Sequence, residues 1–168
     1  VTTNDGTITV DAGGTLTASV VTAGGAAGNV NLTTSAGDIA ASAITATGND
    51  VVLDAAGSIT DGNGATTNIA STNLDATAAT GIDLDTDTDS ITASVTGTGV
   101  IDIDETDAVT LTSVTTADGS ITIYAGGLLT ATDVRSLTDS ASNDISLVTT
   151  TGDVSLETVD AGSSGGLT

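Results

Sequence analysis

GIDLDTDTDSI, residues 81–91, carries a carboxylate at every second position: Asp83, Asp85, Asp87 and Asp89. A second acidic run, VIDIDETD at residues 100–107, holds Asp102, Asp104, Glu105 and Asp107. In a strand, residues two apart share a face, so the first run would present a row of hard oxygen ligands of the kind Ca²⁺ takes, and Asp102 and Asp104 of the second would share a face in the same way. The competing reading is a solvated acidic surface that keeps a β-rod from aggregating. The Ca²⁺-binding nonapeptide GGxGxDxUx and the EF-hand loop are both absent.

Composition removes most other chemistry. The 168 residues include no Cys, His, Met, Trp, Phe or Pro, one Tyr (Tyr124) and one basic residue (Arg135), against 22 Asp plus Glu. Thiolate and imidazole catalysis, and zinc or haem sites built on Cys, His or Met, are excluded. A formal charge of −21 repels phosphate backbones, so neither nucleic acid nor an anionic membrane is expected as a partner, and no apolar run is long enough to span a bilayer. Paired carboxylates could serve a glycosidase as acid and base. A sugar site also needs aromatic or basic side chains, and Tyr124 and Arg135 both read as surface residues, so no enzyme is expected.

Acidity with almost no aromatic residues is also a disordered composition, and position decides between the two. A triplet of apolar, any, apolar recurs seven times, beginning at Ile8, Val30, Val51, Ile82, Ile101, Ile121 and Ile145. A second apolar position follows at Leu16, Ile39, Ile59, Ile91, Val109, Leu129 and Val154, and a third at Val20, Ile44, Val95, Val114, Val134 and Val159. In the Val51 unit the insert DGNGATTN displaces the third position to Ile69 or Leu74. Gly, Asn and Asp punctuate the gaps, as tight turns require. Short strands of this kind bury nothing alone and are stable only when stacked in register. The fold class is therefore all-β: a parallel β-helix over residues 1–168, of seven coils near 20 residues with three short strands each.

That register turns the acidic runs into columns. Asp83 and Asp102 fall at the outward position within the triplet, and Asp54, Asp85 and Asp104 at the position after it. Stacked one coil apart, about 5 Å, such carboxylates raise one another's pKa or recruit cations, the candidate being a Ca²⁺ ladder. A third column, Thr17, Ala40, Thr60, Thr92, Thr110, Thr130 and Ser155, raises ice binding as an alternative, against the plain reading of Thr as a good exposed strand residue.

The phrases GNVNL…SAGDI, NDVVLDAAGSI and NDISLVTTTGDV resemble the repeats of filamentous-haemagglutinin-like exoproteins and other giant bacterial surface adhesins. The resemblance covers essentially the whole chain. It implies a right-handed parallel β-helix, secreted to the cell surface, serving as an extracellular shaft or fibre with a cell-surface or glycan receptor. Residues 162–168 followed by a second copy of residues 1–10, GSSGGLTVTTNDGTITV, read as continuous repeat text, so flanking repeats or head-to-tail copies are the expected neighbours.

Overall fold

A computed structural model describes residues 1–162. Its inner strands alternate buried and more exposed positions where the sequence alternates apolar and polar, as in β5, β11 and β13. The first coils contain β1 (Thr2–Thr3), β2 (Ile8–Ala12), β3 (Leu16–Ala18), β4 (Val21–Ala23), β5 (Val30–Thr34) and β6 (Ile39–Ala41). The middle is built from β7 (Ile44–Ala55), β8 (Ile59–Asp61), β9 (Ile69–Ala78), β10 (Ile82–Thr98) and β11 (Ile101–Glu105). The chain continues through β12 (Val109–Asp118), β13 (Ile121–Ala125), β14 (Leu129–Ser136), β15 (Ile145–Thr149) and β16 (Val154–Asp160). Every pairing between them is parallel, and each rung pairs with the rung one coil away. The result is a parallel β-solenoid of about eight turns, roughly 21 residues apart.

Two columns define the interior. Face one stacks Ile8, Val30, Val51, Leu74, Ile91, Leu111, Ala131 and Leu156. Face two stacks Leu16, Ile39, Ile59, Ile82, Ile101, Ile121 and Ile145. A shorter third column runs Val21, Ile44, Ile69 and into Thr86. Each fully buried Ile or Leu contributes about 1.5–3 kcal/mol of apolar transfer, and the neighbouring rungs supply the other wall. Ala and Gly at the corners let the faces close on one another: a Cβ on Gly119 would overlap the carbonyl oxygen of Gly99, one coil below.

The seven triplets are not one column, which corrects the sequence register. Val51 and Leu53 lie beside Leu74 and Ala76, whereas Ile82 rests on Ile59. The first three triplets occupy face one and the last four occupy face two. The cause is the insert. Residues 62–67 bulge outward, Ile69 resumes the third column, and face one continues through Leu74-Asp75-Ala76, where a small Ala conceals the triplet. Buried Asn68 pins the bulge, its Nδ2 donating to Ala41 O (3.0 Å) and Asp61 Oδ1 (2.9 Å) while its Oδ1 accepts from Asp85 N (2.7 Å). The same shift adds a coil, giving about eight instead of seven. Two further positions differ: Val20 is exposed and its neighbour Val21 enters the core, and Val154 is exposed on the last rung.

Candidate functional site: an acidic face on the second side of the solenoid

Ile82, Leu84, Ile101 and Ile103 are all buried, so alternation forces the residues between them outward. Parallel pairing of β10 with β11 then sets Asp83 beside Asp102 and Asp85 beside Asp104. The stack is two rungs deep. On the next coil the same positions hold Thr122 and Tyr124, and on the coil below Ile82 sits over Ile59, with Asp61 at the end of β8. Asp54 does not join it. That residue lies on face one between Thr33 and Thr77, because the triplet beginning at Val51 and the one beginning at Ile82 are on different faces.

The carboxylates feel each other. Burial, then the charges of Asp104 and Asp83, push the Asp102 carboxyl above its ordinary value. Asp83 is raised by burial and by Asp61 and Asp104, and Asp85 by burial and by Asp61, Asp104, Asp83 and Asp102. Asp61 moves the other way: burial opposes its charge, but the backbone N–H of Asn63, the Asn68 amide and the backbone N–H of Gly64 together hold it below the usual value. No cation of the chain compensates the group. Arg135, the single basic side chain, pairs with Asp133 on face one, where it lies beside Thr115 and Asp160.

Glu105 is the feature that sequence reasoning passed over. It takes the third inward position of IDIDE, after Ile101 and Ile103, and is 4% exposed. Its Oε2 accepts from Thr86 Oγ1 (2.6 Å) and Thr88 N (3.1 Å), and its Oε1 accepts from Thr106 N (2.9 Å). Burial pushes its carboxyl up, partly offset by these donors. One oxygen each from Glu105, Asp87 and Asp107 lie within 4.8 Å of one another. Strict alternation from Ile101 and Ile103 puts Glu105 inside, as the strand's burial pattern shows.

The arrangement offers oxygen donors for a hard cation on two adjoining surfaces, the Asp83/Asp85/Asp102/Asp104 ladder and the Asp87/Glu105/Asp107 corner. Tyr124 is exposed next to Asp104, and Arg135 is also exposed, as the sequence led us to expect. The proposed threonine column is divided: Thr17, Ala40 and Thr60 stack on face two, and Thr110, Thr130 and Ser155 on face one, so no continuous ladder forms. No protein family, curated protein or solved structure matches the chain.

Proposed function

We propose that the chain is an extracellular structural or adhesive solenoid, a stiff shaft that displays or spans, continuing end to end through flanking repeats or further copies. The observation that supports this most is the unbroken aliphatic column from Ile8 to Leu156, in which each rung's backbone hydrogen bonds run along the axis. Extending such a rod loads all the bonds of a rung at once, and bending it must stretch those on the convex side. The charge of −21 is carried on the flanks, which favours separate rods over lateral aggregates. Its resemblance to adhesin repeats supplies the cell-surface setting.

Antibody raised against the chain should label intact, unpermeabilised cells of the source organism, and brief protease treatment of those cells should remove the signal. Signal confined to lysed cells would overturn the extracellular reading.

The paired aspartates favour one second reading, a calcium-dependent acidic adhesion module, in which Ca²⁺ bridges neighbouring rungs at Asp83, Asp85, Asp102 and Asp104. Isothermal titration with Ca²⁺ tests it directly. Saturable heat that is lost in Asp85→Asn supports the module, and heat of dilution alone removes it.

A further inference from the structure

The insert that displaces the register also gathers the parts of a reacting centre. Residues 62–66 are exposed, and Asn63 is followed by Gly64. Of the chain's asparagines it alone precedes a glycine, the others preceding Val, Leu, Ile or Asp. Gly64 stands at φ +67° with open space where a Cβ would lie, so no side chain of its own shields its backbone nitrogen. That N–H donates to Asp61 Oδ1 (3.0 Å), which puts a carboxylate on the proton the nitrogen would lose. Asn63 Oδ1 accepts from Asn68 Nδ2 (2.6 Å), so a donor already faces the oxygen on which charge would build. Asn63 Nδ2 donates to Ser42 O on the preceding coil, which fixes the plane of the side-chain amide. Asn68 is buried, its Nδ2 also donating to Ala41 O (3.0 Å) and its Oδ1 accepting from Asp85 N (2.7 Å), so this donor is held in place before any reaction. Nucleophile, base and oxyanion donor are the parts of an acyl-transfer site, gathered here around a side-chain amide.

We propose that Asn63 is a self-modification site, at which the Gly64 nitrogen attacks Asn63 Cγ, closes a succinimide ring and expels ammonia. The bond between Gly64 N and Asn63 Cγ forms as the bond between Cγ and Nδ2 breaks. The proton leaving Gly64 N passes through Asp61 to the departing nitrogen, so the step needs no outside acid, oxidant or metal. Asn68 Nδ2 stabilises the oxygen of the tetrahedral intermediate. Water then opens the ring at one of its two carbonyls and leaves an aspartate or an isoaspartate at position 63. Either product adds one negative charge and loses the donation to Ser42 O. The new carboxylate lies two residues from Asp61, where burial and then the charge of Asp61 already push up the Asp83 and Asp85 carboxyls. The acidic face therefore gains a member without any change in the gene.

Peptide mapping by mass spectrometry, after incubation of the purified chain at neutral pH, reads the conversion residue by residue. Asn63 should turn into the acid while the other asparagines keep their amides. Conversion should be about tenfold or more faster in the folded chain than in the same chain denatured in urea, because Asp61 and Asn68 act only where the fold assembles them. The pH profile separates this from loop mobility. In the folded chain the rate should level off near neutral pH, where Asp61 is already ionised, and in urea it should climb with hydroxide. Asp61→Ser should lower the folded rate to the urea rate and leave the urea rate unchanged. A folded chain that keeps its Asn63 amide, or converts no faster than in urea, would overturn the proposal, and so would an Asp61→Ser chain as fast as wild type.

Discussion

Asp102→Asn isolates the electrostatics of the acidic face. Asp102 lies beside Asp83 on the neighbouring rung and two residues from Asp104 on its own strand. At about 4.8 Å, in water-like dielectric and with an 8 Å screening length, one such pair repels by roughly 0.5 kcal/mol. Asp104, whose charge raises the Asp102 carboxyl more than that of Asp83 does, adds a repulsion of roughly the same size. Removing the charge while keeping the shape should stabilise the fold by about 0.5–1 kcal/mol at pH 7, which is a few degrees in melting temperature for a chain of this size.

The pH dependence follows from the direction of the shifts. Asp83, Asp85 and Asp102 are raised in the fold, so below the ordinary carboxylate range they are protonated in both states and nothing is lost. As pH rises through the raised values, the unfolded chain has already ionised and the folded one resists, so stability falls. The advantage of Asp102→Asn should therefore be full at pH 7, disappear near pH 3 and shrink in 1 M NaCl. Thermal melts by circular dichroism at both pH values read it. A variant less stable than wild type at pH 7, or equally stabilised at pH 3, would refute the repulsion argument.

Ile103→Asp should cost several kcal/mol in a denaturant melt, because it buries an unpaired charge at a position 0% exposed, whereas Thr122→Asp on the outward side should cost under about 1 kcal/mol. Equal effects would mean the inward and outward assignments are wrong. Gly119→Ala should destabilise by at least about 1–3 kcal/mol through overlap with the Gly99 carbonyl, while Gly13→Ala, with open space around its Cβ, should be neutral or slightly stabilising. A neutral Gly119→Ala would show that the corners are not closely stacked. Millimolar Ca²⁺ should raise the melting temperature more than NaCl at equal ionic strength, and Asp104→Asn should reduce the difference; identical curves would leave only screening.

The fold was legible because each rung repeats the same constraint. Ile101, Ile121 and Ile145 sit where the triplets placed them, one above another. The register across the insert was not legible, since hydrophobic spacing counts residues along the chain and a bulge removes residues from the count. Nothing local distinguishes Leu74-Asp75-Ala76 from a loop: the rung is visible only once Val51 and Ile91 enclose it. Asp54 was misplaced for that reason alone. The ladder of Asp83 with Asp102 survived because no insert separates those two coils.

The inward placement of Glu105 bears on both functional readings. A carboxylate buried between Thr86 and Ala125 is held by threonine hydroxyls and backbone N–H groups and by no cation of the chain, at the corner where Asp87 and Asp107 also converge. Charge of one sign is thus carried on the outward positions of successive coils while Ile, Val and Leu fill the inside. Side-by-side contact between two such surfaces would bring like charges together, so the alternation that builds the core also sets the sign of the flank.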